Sequence, residues 1–361
     1  MSSKENKEIY DLRKYEFFKK TLSYLLFTII FIITSVLSLI FIYHIFSDKV
    51  VFLRLNIFSF DVLLKISILL IVYFLFDSFR LFYTLKALNV NIQFRYIVKL
   101  VFINIFISNI TPFATGGGFA QIYFLNKKGV SIGDATAAST IRTVLPIIFF
   151  SVSTPIILMC NKNILGIFSN DRISIYMGIF MLIYIFIVYQ IYKLIKKPRN
   201  IKKLVYKSIY FLESKKAIKT QKTKKLIKKI FMEIDRFSIN ITRFFYGNKR
   251  DITLSIIFTV LFLLSLFTFS VILIKELNPK ASLADIITSQ IVITSIMYFA
   301  PTPGATGVAE GGFTLIFANF VKKRDIVSLT FAWRFFTIYL GMIVGMIAFY
   351  LEIFKVKSKK Q

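Results

Sequence analysis

The sequence predicts an all-α polytopic membrane protein, with about six spanning helices plus two re-entrant broken-helix hairpins arranged as an inverted repeat. Three observations carry that prediction. The 361 residues are 56% hydrophobic, including 42 Phe, and the mean hydropathy is +0.70. Ordinary globular domains are roughly 45–50% apolar, and here the excess is gathered into long runs. Lys and Arg collect at the edges of those runs. Finally, two apolar regions are interrupted by Pro and Gly clusters, TPFATGGGFAQ over 111–121 and APTPGATGVAE over 300–310. A β-barrel would instead show short segments alternating apolar and polar residues, and no such alternation is present.

The formal net charge of +29 is compatible with nucleic acid or with a membrane, and its location favours the membrane. Basic residues crowd the N-terminus, the stretch from Lys193 to Arg250 and the tail from Lys355. All three flank apolar runs, as cytoplasmic segments do under the positive-inside rule. No RNA-binding motif accompanies the lysines, so no nucleic-acid partner is expected. One cysteine, Cys160, and one histidine, His44, build neither a disulfide nor a usual zinc site. No metal or cofactor is expected. A phosphate-binding GxxxxGK[ST] loop is absent, which argues against direct ATP coupling within the chain.

In chain order, residues 1–20 read as a basic cytoplasmic N-terminus and 21–195 as a first membrane half. Thr21 to Phe46 exceeds the ~20 residues a spanning helix needs and lacks a small-residue cleavage site, so it is expected to remain as an anchor. A second run, Val62 to Leu85, carries Asp77 and Arg80, which share a helix face. They either pair near a cytoplasmic end, with Arg80 snorkelling, or face a polar cavity. Lys86, Arg95 and Lys99 mark a cytoplasmic turn, after which Tyr96 to Ile110 enters the membrane and breaks at Pro112 to Gly118. The eight residues FAQIYFLN after the break reach only ~12 Å as a helix, well short of a ~30 Å core. The chain is therefore expected to return to the side it entered from, placing Lys127 and Lys128 in the cytoplasm. Ser131 starts the next span, which carries Arg142 and ends near Met159. Asn161 to Arg172 reads as an exterior loop and Ile173 to Ile195 as the return.

Residues 196–250 form a basic cytoplasmic connector, with 18 Lys or Arg against Glu213, Glu233 and Asp235. Within it, LIKKIFMEIDRFSINITRFF predicts an amphipathic helix on the anionic inner leaflet. The second membrane half, 251–354, opens with a span over Asp251 to Ile274. Ser282 to Phe299 then enters from outside, breaks at Pro301 to Gly307 and continues to Val321. That topology puts Lys322, Lys323 and Arg324 outside, against the charge bias. A last span, Ile326 to Phe354, bears Trp333 and Arg334, and the tail 355–361 is cytoplasmic. The protein is then expected in the cell membrane, multi-pass, with both termini cytoplasmic.

Aligning Pro112 with Pro301 brings Gly118 over Gly307, Ala120 over Ala309 and Gln121 over Glu310. An arginine comes after each Gln or Glu, 21 residues later at Arg142 and 24 later at Arg334. Helix breaks at membrane depth are tolerated only inside protein or beside a wet cavity, and helix N-termini after a break favour anions. The candidate site is therefore Asp77, Arg80, Pro112, Gly116, Gly117, Gly118, Gln121, Arg142, Pro301, Pro303, Gly304, Gly307, Glu310 and Arg334. Its expected ligand is an anionic or zwitterionic membrane lipid, with Arg142 and Arg334 as phosphate partners. Glu310 is either a structural partner of Arg334 or part of transport, and it is the repeat's one carboxylate.

These residues carry a resemblance. TPFATGGGFAQIYFLNKKG, PTPGATGVAEGGF and the arginine-bearing helices after each resemble the flippase-like transmembrane domain of the lysylphosphatidylglycerol synthase family, over roughly residues 15 to 352. The resemblance implies movement of a phospholipid, such as aminoacylated phosphatidylglycerol, or of a polyprenyl-phosphate lipid between leaflets. The soluble aminoacyl-transferase domain of the bifunctional members is not seen in the sequence, which therefore resembles the stand-alone members. Two other readings stay open: a phosphatidylglycerol lysyltransferase, and a membrane scaffold whose basic connector recruits a partner. An oligomer is compatible with all of them.

Overall fold

A computed structural model of the chain describes residues 59–160 and 220–358, with isolated positions between 26 and 40 and between 199 and 207. Every described position between 26 and 40 is helical and exposed. The rest of the expected first span, the loop 161–172, the return span 173–195 and most of 196–219 lie outside the described residues, as does His44.

Among the described residues the fold is helical throughout, without strands. Helix α1 spans Phe60–Ala87, α2 Phe94–Asn109, α3 Thr115–Lys127 and α4 Ile132–Cys160. Then come α5 over Thr220–Tyr246, α6 over Lys249–Leu277, α7 over Leu283–Met297 and α8 over Val308–Phe317. Helix α9, Ile326–Arg334, passes through a π-turn at Phe335–Tyr339 into α10, Leu340–Ser358. Four described helices are long and apolar enough to cross a membrane: α1, α4, α6 and the run from Lys323 to Ile353. The protein is an all-α membrane protein. Ser59, Asn248 and Ser282 cap α1, α6 and α7 by accepting from backbone N–H groups of the first turn, which supplies acceptors for donors that apolar surroundings cannot satisfy. Helix α4 continues through Pro146 and Pro155, as membrane helices do when neighbours re-satisfy the freed carbonyls.

Aromatic packing and small residues hold the helices together. Helix α1 lies along α6, with Tyr73 stacked on Phe262 at 4.9 Å and Tyr83 on Phe258 at 5.5 Å. The hydroxyls of Thr84 and Ser255 meet across that contact at 2.7 Å. Helix α10 lies along α2, where Lys99 Nζ reaches Glu352 Oε2 at 2.7 Å. Gly345 sets how close these two come: a Cβ there would stand 2.1 Å from the Phe102 carbonyl oxygen.

Both interrupted regions fold back on themselves. Tyr96, at the start of α2, donates to the Phe124 carbonyl near the end of α3 at 3.0 Å. In the second half Asn278, before α7, donates to the Phe320 carbonyl beyond α8 at 2.8 Å. The boundaries differ from expectation in the first half, where the break ends at Ala114 and Gly116, Gly117 and Gly118 lie in the first turn of α3. They are there for closeness rather than looseness. A Cβ on Gly117 would meet Ser108 Oγ at 1.8 Å and one on Gly116 would meet Thr111 Cγ2 at 2.5 Å, so bare backbone lets α3 press against the end of α2.

The amphipathic connector helix, α5, docks on the start of α4. Glu233 Oε2 accepts from the Gly133 N–H at 2.6 Å, Asn240 Nδ2 donates to Asp134 Oδ1, and Ile241 and Phe244 are buried. Ile239, Phe245 and Tyr246 remain exposed.

Gly345→Ala is expected to lower stability by about 1–3 kcal/mol, since an overpacked contact against backbone cannot relax by a side-chain rotation. Gly311→Ala, where nothing lies within 4 Å of the added Cβ, is its control. Thermal melting of the two variants in detergent should lower the transition for the first and leave the second at or above wild type.

Candidate functional site

Each break is built on the same five-residue turn. Thr111–Thr115 reads TPFAT and Thr302–Thr306 reads TPGAT. In both, the leading threonine is extended, at φ −118° and ψ 144° for Thr111 and φ −81° and ψ 149° for Thr302, as the proline after it requires. The third and fourth residues are left-handed: Phe113 and Ala114 both at φ 53°, Gly304 at φ 58° and Ala305 at φ 56°. The last threonine closes the turn, Thr115 Oγ1 donating to the Pro112 carbonyl at 3.0 Å and Thr306 Oγ1 to that of Pro303 at 2.7 Å. Pro112 is therefore the counterpart of Pro303, and the alignment on Pro301 is two residues out of register. The first turn runs straight into α3. The second adds Thr306 and Gly307, at φ 85°, before α8 begins. The two turns pack against each other.

Behind the second turn lies a closed ion pair. Arg334 Nε donates to Glu310 Oε1 at 2.7 Å, and both residues are 0% exposed. Glu310 Oε2 accepts from the Gly307 N–H at 2.7 Å, closing the first turn of α8. Arg334 Nη2 donates to the Gly304 carbonyl at 2.9 Å. The expected lone carboxylate is thus fully engaged: Glu310 holds Arg334 and caps its own helix. The contact with Arg334 that the first of its two readings requires is present.

The first half keeps an open counterpart. Arg142 Nη1 donates to Gln121 Oε1 at 2.8 Å, as Arg334 does to Glu310, but its carboxylate comes from another helix, with Asp77 Oδ2 at 2.5 Å from Arg142 Nη2. Arg80 joins the cluster, its Nε 3.4 Å from Asp77 Oδ1, its Nη2 donating to the Arg142 carbonyl at 3.2 Å and its guanidinium over the Phe262 ring at 4.6 Å. Asp77 and Arg80 therefore do more than neutralise each other; Asp77 bridges two arginines.

A cavity of about 700 Å³ opens onto this cluster. Asp77, Arg80, Gln121 and Arg142 form part of its wall, as do Gly118 and Gly304. Phe113, Ala114, Thr302 and Ala305 from the two turns also border it. Glu310 and Arg334 do not. Trp333 stacks on Phe313 at 4.2 Å, as a packing residue would, yet it also lines the cavity. Residues outside the expected site border it too: Asn104 and Asn109 from α2, and Gln290 and Thr294 from α7. Their signal in the sequence is amides and hydroxyls scattered through largely apolar helices, which are costly in lipid unless they face a partner or water.

The model of the lysylphosphatidylglycerol synthase TM region matches residues 53–345. The chain belongs to that family. A curated relative, a UPF0104 membrane protein of Archaeoglobus fulgidus, is 24% identical over 303 residues, which are 81% of this chain and 89% of the relative. No solved structure matches. The family region takes in both turns, the cavity and the closed ion pair.

Glu310→Gln and Arg334→Met are each expected to destabilise the protein by about 3–5 kcal/mol, because each leaves its partner charged, buried and alone. The double variant removes both charges and should lose less than the sum of the two single changes. Chemical denaturation of the three variants in detergent checks this; additive losses would show that the pair is not coupled.

Proposed function

We propose that this protein translocates a lipid across the membrane, its headgroup crossing through the cavity while the acyl or prenyl tails stay in the bilayer. The observation that carries this reading is the meeting of two matching helix breaks over one cavity whose wall holds Asp77, Arg80, Gln121 and Arg142. Ionisable side chains are rare at membrane depth and mark the paths of polar cargo. Broken helices at a repeat interface are where transporters bind it.

In this reading the two folded-back regions are re-entrant hairpins that enter from opposite faces and meet at their tips. Helix α3, with 13 residues, reaches about 20 Å, short of the ~30 Å core. The 10 residues of α8 reach about 15 Å by the same measure. Lys127 and Lys128 stand at the cytoplasmic mouth, together with α5 and its anionic-lipid contacts, and both termini are cytoplasmic. The cargo is a phospholipid or polyprenyl-phosphate lipid, and the compartment is the cell membrane.

The test is leaflet exchange of fluorescent lipids in vesicles reconstituted with the protein. Exchange should exceed that of empty vesicles, and Arg142→Gln should slow it about tenfold or more, the effect of losing a charge-assisted hydrogen bond of roughly 1.5–3 kcal/mol. Arg142→Lys should recover part of the rate. Exchange no faster than in empty vesicles, across anionic, aminoacylated and isoprenoid lipids, overturns the proposal.

A further inference from the structure

We infer that the cavity selects a headgroup of net negative charge, a phosphate ester without a balancing ammonium, and rejects a cationic aminoacylated headgroup. This selectivity rests on the translocation reading for its biological setting, and on the donor and charge balance of the cavity wall for its physics.

Two guanidiniums, Arg80 and Arg142, share the one carboxylate on the wall, Asp77, so one positive charge is left over. Among the described residues, the pair behind the wall leaves this unchanged, because Arg334 and Glu310 neutralise each other. The donor balance points the same way. On the wall one buried acceptor, Asp77 Oδ1, makes no hydrogen bond, against five buried donors that make none: Arg80 Nε and Nη1, Gln121 Nε2, Arg142 Nε and Trp333 Nε1. The four residues that carry them are all at least nine-tenths buried. The orientation of Gln121 is fixed by its neighbour: its Oε1 accepts from Arg142 Nη1, which leaves the amide N–H groups on the other side. A buried donor without an acceptor is unfavourable. A phosphate offers acceptors and the opposing charge together, and arginine suits it.

An aminoacylated headgroup brings ammonium groups, which are donors and cations. It would meet a wall already in surplus of both, whose one carboxylate among the described residues is ion-paired with two arginines. Like charges and unpaired donors are how a site rejects the wrong ligand. The volume of about 700 Å³ lies within the usual range of small-molecule sites and suits a headgroup rather than a whole lipid.

The test is calorimetric titration of the purified protein in a zwitterionic detergent with four probes: dioctanoyl phosphatidylglycerol, dioctanoyl phosphatidylcholine, dioctanoyl lysyl-phosphatidylglycerol and glycerol 3-phosphate. Emission from Trp333, the chain's one tryptophan, reports whether binding is in the cavity. The anionic lipid should bind about tenfold or more tightly than the cationic one, with phosphatidylcholine between them, and should shift the Trp333 emission. Binding of glycerol 3-phosphate as tight as that of the lipid would assign the site to a free phosphate ester and still support the charge selection. Arg80→Gln makes the wall neutral and should erase the preference between anionic and cationic lipids. Should that variant not fold, the wild-type series alone decides. Equal or tighter binding of lysyl-phosphatidylglycerol, or no binding of any anionic probe, overturns the inference. The two ideas fail separately: selective anion binding without leaflet exchange sinks translocation alone, and exchange without charge preference sinks the selectivity alone.

Discussion

A helix that stops within apolar surroundings leaves carbonyl and amide groups that lipid cannot satisfy, and the described architecture is arranged around two such stops. Each is closed by the same local chemistry: an extended threonine, a proline, two left-handed residues and a threonine hydroxyl returned to the proline carbonyl. The left-handed conformation costs roughly 1–2 kcal/mol at each residue other than glycine, and three of the four positions are not glycine. What holds them is the contact of one turn with the other, together with partners brought from distant helices. Arg334 supplies one of these partners by donating to the Gly304 carbonyl in the turn itself.

The two halves share this turn and differ in the residues immediately beyond it. In the first, α3 begins at once, and Gln121 sits a full turn or more into the helix. In the second, Thr306 and Gly307 intervene and Glu310 falls in the first turn of α8, where one carboxylate oxygen can cap the helix while the other takes Arg334. A glutamine cannot do both with the same strength, since its amide carries one acceptor oxygen and no charge. Arg142 therefore needs a carboxylate from outside its own hairpin, and α1 supplies it as Asp77. With that carboxylate comes a second arginine, Arg80, one helical turn further on.

Much of this was legible in the sequence and some of it was not. The apolar runs gave α1, α4, α6 and the α9–α10 run to within a few residues, because burial in lipid leaves little choice of sequence. The breaks were visible as Pro and Gly clusters, and the similar intervals from Gln121 to Arg142 and from Glu310 to Arg334 join residues that touch in the structure. The register was missed by two residues because prolines 301 and 303 compete for one role. The repeated TPFAT and TPGAT strings, which settle it, share a hydroxyl closure rather than a proline spacing. The glycines after Pro112 were expected within the break, yet they lie in the first turn of α3, where close helix contact explains Gly116 and Gly117. That Asp77 would meet Arg142 across 65 residues has no local signature, since it depends on how α1 and α4 cross.

The charge of the cavity comes from that same inequality between the halves. Had residue 121 been a carboxylate like Glu310, Arg142 would be neutralised by the side chain it already contacts, Asp77 would be left to Arg80, and the cavity wall would be electrically neutral. Gln121 removes that possibility on one side only. The replacement carboxylate, Asp77, arrives three residues ahead of Arg80, on the same face of one helix. The surplus cation is thus tied to the amide of Gln121 on Arg142, where Arg334 has the acid Glu310, and the sealed pair of Glu310 and Arg334 leaves the surplus standing. In low dielectric a single uncompensated charge at about 4 Å outweighs the net worth of any one hydrogen bond. On the proposed reading, the sign of that charge, more than the shape of the cavity, selects the headgroup.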